Sequence, residues 1–295
     1  MTRYVLSGMT SGTGDAVIRR LVARFGPEQL LCLVRAESPL DVLRELGVPQ
    51  HVCDITQPET YRDVLSRETI YVDMTHPKYY GSSVETVKAS GVERAFWVTT
   101  TGIFSKYHSC SDIYQRGEET LRDAGITWTI LRPSMIYGTP RDKNMHKLIK
   151  FLDRAPVFPI FGTGASLMQP VYVEDLADGI VTAIAKGSEV ENRAYNLAGP
   201  QALSYRAIIR TVARQVGRQA ALLYIPMKAA QVVARAGEKV PGFPVSAEQV
   251  MRLTEDKAFD ISDARRDLAY QPRPFTEGIR SEVKLMREQS LIKMR

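Results

Sequence analysis

The segment Ser7–Gly14, reading Ser-Gly-Met-Thr-Ser-Gly-Thr-Gly, carries the first pattern suited to chemistry. It leaves an apolar, strand-like run, Tyr4-Val5-Leu6, and enters an amphipathic stretch, Asp15–Phe25. Gly8, Gly12 and Gly14 permit a sharp turn and close backbone approach to a ligand, while Thr10, Ser11 and Thr13 bring hydroxyls. Between a strand and a helix, such a turn aims backbone N–H groups and the positive end of the helix dipole at a phosphate. The spacing Gly-x-x-x-Gly-x-Gly in that position predicts the pyrophosphate of a dinucleotide. Arg35 follows the second apolar run, Leu30–Val34, 21 residues after Gly14. An acidic residue there would bond the adenosine ribose hydroxyls of NAD, whereas a planar guanidinium matches the 2′-phosphate of NADP. NADP is therefore the expected cofactor, and Glu37, two residues on, keeps NAD open. Asp54, which closes the short run His51-Val52-Cys53, is placed to cap the adenine amino group.

Proton-transfer chemistry has fewer candidates. Thr100 and Thr101 follow the run Ala95–Val98 at a strand's carboxyl edge, where doubly wound sheets gather ligands and where a hydroxyl can polarise a carbonyl. Tyr107, beside Lys106, and Tyr114 are the phenols best placed to donate a proton. His76 sits in Thr75-His76-Pro77-Lys78-Tyr79, just after the run Tyr71–Met74, and imidazole titrates near neutral pH. Asn144, His146 and Lys147 lie on a helix expected to begin after Asp142, where they could meet a polar or anionic substrate. The three cysteines, Cys32, Cys53 and Cys110, lack metal-ligand spacing, so neither a metal site nor a disulfide framework is expected.

The elements that position these residues alternate. Apolar runs at Tyr4–Leu6, Leu30–Val34, Tyr71–Met74, Ala95–Val98 and Trp128–Leu131 read as buried parallel strands. Helical stretches are expected between them at Asp15–Phe25, Pro58–Ser66, Ser82–Ser90 and Asp112–Ala124. The fold class predicted is α/β, a doubly wound parallel sheet of the Rossmann kind with a smaller, intertwined C-terminal lobe. Residues 1–140 are expected to bind the dinucleotide and residues 141–295 to form the substrate lobe, with segments around 165–200 returning to the sheet.

Composition removes other classes. The chain has 295 residues, 44% hydrophobic and 24% charged, as globular proteins do, so a disordered or fibrous chain is excluded. The net charge of +6 is dispersed, and no basic aromatic stripe accompanies it, so no nucleic acid partner is expected. No apolar run approaches the roughly 18 residues that would cross a bilayer, and no signal-peptide pattern opens the sequence. A cytoplasmic protein with a small-molecule substrate and no membrane partner is the expectation.

The sequence resembles the short-chain dehydrogenase/reductase superfamily, and within it the extended and atypical members, the NAD-dependent epimerase/dehydratase and NmrA-like proteins. The likeness rests on Ser7–Gly14, Cys53-Asp54, Val98–Thr101, Leu131-Arg132-Pro133-Ser134-Met135-Ile136-Tyr137-Gly138, Val171–Ala177 and Asp260–Pro272. It implies that Thr75, Thr100, Pro133 and Met135 also contact the cofactor, that His76 lies near its ribose, and, by analogy, a homodimer. Two departures stand out. The family's Tyr-x-x-x-Lys dyad, placed by Gly117-Glu118, is replaced by Cys110 and Tyr114. The only literal match, Tyr224 to Lys228, encloses Pro226 and is read as chance. Met168 and Gln169 occupy the places where nucleotide-sugar enzymes of the family carry Arg-Asp, which argues against a nucleotide-sugar substrate. The reading that follows is an NADP-dependent oxidoreductase acting on a small molecule without the usual dyad. The alternatives are a non-catalytic NmrA-like NADP sensor or scaffold, and a sugar-nucleotide epimerase/dehydratase with a rearranged site.

Overall fold

Leu30–Val34 is buried at every position, as a strand covered on both faces must be. It is β2 of a seven-stranded sheet whose other strands are β1 (Arg3–Ser7), β3 (Gln50–Val52), β4 (Thr69–Asp73), β5 (Arg94–Val98), β6 (Thr127–Pro133) and the late strand Arg193–Leu197. The computed structural model describes residues 3–142, 144–155, 157–229, 251–252 and 254–294. All neighbouring strands of the sheet pair in parallel. The strand order runs outward from β1 in both directions, through β2 and β3 on one side and β4, β5 and β6 on the other. Order therefore reverses between β1 and β4, where an open α/β sheet leaves a crevice at the strands' carboxyl ends.

Beyond the short α2 (Asp41–Glu45), one face of the sheet presents Val5, Leu31, Tyr71, Trp97 and Ile130 to Val84 and Val87 of α3 (Tyr80–Ala89) and Leu121 of α4 (His108–Arg122). On the other face, α1 (Gly12–Phe25) packs against the helix Val173–Lys186. The sheet, these helices and the helix Ser262–Leu268 make one compact unit, formed by residues 1–134, 173–197 and 260–271.

The expected helix at Pro58–Ser66 is corrected to two 3-10 turns, Pro58–Thr60 and Arg62–Val64. Tyr61 leaves helical geometry between them (φ −147°, ψ −1°) so that its ring can enter the core, where it is 1% exposed. Burying an aromatic ring outweighs two or three weak helical hydrogen bonds.

The second unit comprises residues 135–172, 198–259 and 272–295. Among the described residues its core is built on three helices: α5 (Met145–Arg154), the helix Tyr205–Gln215 and the helix Phe275–Glu288. Met145, Ile149 and Leu152 fall three and four residues apart, as do Ile208, Ile209 and Val212, and likewise Ile279, Val283 and Met286, so each helix turns one apolar stripe inward. The strands Val157–Phe161 and Ala221–Ile225 pair in parallel beside them. Among the described residues no helix is long and apolar enough to cross a membrane.

Candidate functional site

The turn after β1 follows from its glycines. Gly8 has φ +82°, and a Cβ there would lie 2.8 Å from the Met74 backbone, so only glycine lets the loop after β4 close against the loop after β1. Gly14 sits in the first turn of α1, where a Cβ would meet the Met9 backbone at 2.5 Å. Ser11 caps the helix, its Oγ accepting the Gly14 N–H at 3.0 Å. Gly12 and Thr13 begin the helix. Gly8, Thr10 and Ser11 form one wall of a groove of about 850 Å³.

Arg35, Asp54 and Thr75 line the same groove. Arg35 is 72% exposed, and its guanidinium meets Glu37 at 3.3 Å. An exposed pair of this sort is worth about 0–1 kcal/mol, so a dianionic phosphate can compete for the arginine. Asp54 spends one carboxylate oxygen on the backbone N–H and hydroxyl of Thr56, at 2.9 and 2.8 Å, which holds its carboxyl below the ordinary carboxylate range. Asp54 is exposed where it lines the groove.

Beneath the groove lies a polar chain that the sequence reading missed. Asp73, fully buried at the end of β4, accepts the Thr75 backbone N–H at 2.8 Å and the Thr75 hydroxyl at 2.6 Å. Tyr71 donates to Asp73 at 3.3 Å and accepts from Ser7 at the same distance. Burial, then Asp73, push the Tyr71 phenol well above its usual value, so it stays a donor. The chain ties the ends of β1 and β4 together across the point where strand order reverses. The available signal was a carboxylate closing the strand-like run Thr69–Val72.

The proton-transfer candidates separate into two groups. Tyr114, on α4, rests its ring where a Cβ on Gly102 would be 2.9 Å away, beside the Thr100 methyl. His76 faces the same ring, with centroids 6.2 Å apart. Its Nδ1 accepts the Lys78 N–H at 3.2 Å, so in the neutral ring the proton sits on Nε2. Thr100 accepts the Gly102 N–H at 3.1 Å. Thr101 turns inward, 6% exposed, and donates to the Pro133 carbonyl at 3.3 Å. Tyr107 stands at the N-cap of α4, where its carbonyl takes the Ser111 N–H at 3.1 Å. The side chain of Cys110 lies outside the described residues.

Two family-like motifs meet in the core. Glu118, 2% exposed, accepts the Thr99 hydroxyl at 2.9 Å and Arg132 Nε at 2.7 Å, with a second bond from the same guanidinium. Gly117, beside it, lets the ring of Tyr80 pack within 3.2 Å of where its Cβ would be. The Gly-Glu pair on α4 and the Leu-Arg-Pro segment of β6 thus form one bidentate ion pair that sets the pose of α4, and with it Tyr114.

In the second unit, Met135, Asn144, Lys147 and Met168 line a pocket of about 390 Å³. Gln169 is 4% exposed and structural, donating to the Gly199 carbonyl and accepting the Phe259 N–H, each at 2.7 Å. Tyr224 lies on the strand Ala221–Ile225 and is 48% exposed.

Comparison with known proteins agrees with this geometry. Residues 8–155, half the chain, match the NAD(P)H-binding family, and residues 114–198 match the NAD dependent epimerase/dehydratase family. A curated relative, NADH dehydrogenase [ubiquinone] 1 alpha subcomplex subunit 9, mitochondrial, from Arabidopsis thaliana, is 27% identical over 145 residues, 48% of this chain. The match spans only 36% of that relative's own length. Among solved structures, gox2253 superimposes with a TM-score of 0.81 at 18% identity, over 99% of this chain and all of that one. Triphenylmethane reductase from Citrobacter sp., complexed with NADP(H), gives 0.75 at 17% identity, over 95% of this chain and 99% of that one. A parallel sheet with its crevice at the β1/β4 reversal, a turn whose Gly8 and Gly14 leave no room for a Cβ, and the match over half its length together mean that the chain belongs to the NAD(P)H-binding family.

Proposed function

We propose that the protein is an NADP-dependent oxidoreductase acting on a small molecule that is not a nucleotide sugar. The observation that carries this reading is the groove running from Gly8 and Ser11 to Arg35 and Asp54 at the strand-order reversal. The residues fit the cofactor. The turn at Gly8 leaves backbone at the surface for the pyrophosphate, Arg35 offers a fork to the 2′-phosphate, and Asp54 keeps one oxygen for the adenine amine. When bound, the reduced cofactor supplies a hydride.

Everything else falls to the chain's own groups. His76 carries a proton on Nε2 and delivers it to the reduced substrate, while Tyr114, its ring tilted beside the imidazole and packed on Gly102, supports it. Thr100 and Asp73, through Thr75, hold the two loops that present this pair. Met168 in place of a cation removes the means to neutralise a diphosphate.

The test is a titration with NADPH and NADH, followed by turnover at 340 nm with aromatic electron acceptors. NADPH should bind more tightly, and Arg35→Ala should weaken NADPH by about 10- to 100-fold, the worth of a charge-assisted bond of ~1.5–3 kcal/mol, with NADH unchanged. His76→Ala should lower kcat without raising the NADPH dissociation constant. A preference for NADH would overturn the cofactor assignment.

A second reading, a non-catalytic dinucleotide-binding scaffold, is supported by Cys110 and Tyr114 standing in the dyad positions. Tight NADPH binding with no turnover, and no effect of His76→Ala on any acceptor, would favour it.

A further inference from the structure

We infer that the pocket of the second unit binds a flat aromatic molecule bearing one negative charge, with Lys147 as the counter-ion. This deepens the oxidoreductase reading by naming the class of substrate, and it rests on that reading only for the reaction, not for the binding. The pocket, about 390 Å³, falls in the range of small-ligand sites, roughly 300–1,000 Å³. Its walls are aromatic. Phe151 meets Phe158 edge to face at 5.2 Å and 84°, and Phe158 meets Tyr205 at 6.3 Å and 75°. Such an arrangement leaves ring faces and edges for another ring to complete, in the offset or edge-to-face geometry aromatic groups prefer.

Methionine, with Leu148 and Ile208, fills the remaining apolar sides. Met135, Met145 and Met168 come from three separate segments, and their thioethers favour the edges of aromatic rings. Three such flexible side chains adapt to planar molecules of different outline. Among the described residues that line the pocket, Lys147 alone is charged, and Asn144, one helical turn earlier, is the remaining exposed polar group. Both stand near the start of α5, whose first N–H groups are taken by the Asp142 carboxylate, so the attraction for an anion falls to Lys147. A single ammonium beside one amide suits a carboxylate or phenolate on an apolar ring, and it is a poor match for a diphosphate or for a cationic dye. Tyr205, held above its ordinary value by burial, remains a neutral phenol and adds no competing charge.

The experiment uses the full chain labelled with [methyl-13C]methionine and titrated with three probes of one shape: 2-naphthoate, 2-naphthalenemethanol and 2-naphthylmethylammonium. Methionine-to-leucine variants assign the signals. Naphthoate should shift the Met135, Met145 and Met168 methyl resonances saturably and leave Met9, in the first unit, unmoved. Affinity should fall in the order anion, neutral, cation. Lys147→Gln should weaken naphthoate by about three- to fivefold, the scale of an exposed ion pair, and leave the alcohol unchanged. Lys147 is exposed, so the variant folds; its ligand-free methyl spectrum confirms that. Methionine signals that stay still under saturating naphthoate would overturn the pocket assignment. Equal binding of anion and cation, or no effect of Lys147→Gln, would overturn the charge preference. Because no cofactor is needed for these readings, a failure here is distinct from a failure to bind NADPH.

Discussion

Glu282 offers the sharpest quantitative test of the structure. It lies fully buried on the helix Phe275–Glu288, where Oε2 accepts the Gly138 N–H at 2.9 Å. Its neighbour is Asp142, whose carboxylate caps α5 by accepting the N–H groups of Asn144, Met145 and His146, at 2.7, 2.6 and 3.1 Å. Burial, then the Asp142 carboxylate, push the Glu282 carboxyl up to about 9, and the Gly138 contact opposes them only in part. The folded protein therefore holds a proton on Glu282 that the unfolded chain releases above its ordinary 4.5. Stability linked to this group is full below pH 4.5 and is lost as pH rises toward 9, by up to about 1.4 kcal/mol per pH unit. Glutamine at 282 keeps an oxygen for Gly138 and an N–H for Asp142 but cannot titrate. The stability of Glu282→Gln minus that of the parent should thus grow by about 2.7 kcal/mol between pH 6 and pH 8. Any fixed effect of the substitution cancels in that difference. Urea unfolding at pH 6, 7 and 8, at constant ionic strength, reads it directly. Two parallel pH profiles would refute the reasoning, since they would mean that Glu282 is charged in the folded state.

Two further outcomes probe the positioning network. Glu118→Gln breaks a buried bidentate pair while leaving Arg132 in place, and should cost about 3–5 kcal/mol in urea unfolding; a loss under ~1 kcal/mol would show that α4 is held by packing alone. Gly8→Ala forces a Cβ toward the Met74 backbone at φ +82°, so it should lower stability by at least ~1 kcal/mol and weaken NADPH binding more than tenfold, both absent if the two loops are free to separate.

Sheet strands and the helices around them were legible because burial on both faces writes continuous apolar runs, such as Leu30–Val34, and because helices repeat with another period. The glycine turn was legible because its spacing follows from steric exclusion, visible here as the clash a Cβ would make at Gly8 and Gly14. Pro58–Ser66 was misread for the converse reason: its helical composition is local, whereas the burial of Tyr61 that breaks it is tertiary. The polar chain Ser7, Tyr71, Asp73 and Thr75 joins residues up to 68 positions apart, and no local pattern marks such partners. Glu282 did leave a trace, a carboxylate on the same helical face as Ile279, Val283 and Met286, but its partner Asp142 is 140 residues away.

The same distinction bears on Cys110 and Tyr114, which the sequence reading sets at the positions of the family's Tyr-x-x-x-Lys dyad. Glu118, three turns into α4, and Arg132, on β6, lock the helix to the sheet whether or not the preceding turns carry a tyrosine and a lysine. Family resemblance in the Gly-Glu and Leu-Arg-Pro segments accordingly reports an ion pair that builds the fold, and carries no information about proton transfer. The ring of Tyr114 lies against Gly102 and beside His76, and on the oxidoreductase reading proposed above the test of catalysis falls on His76, a residue to which neither motif refers.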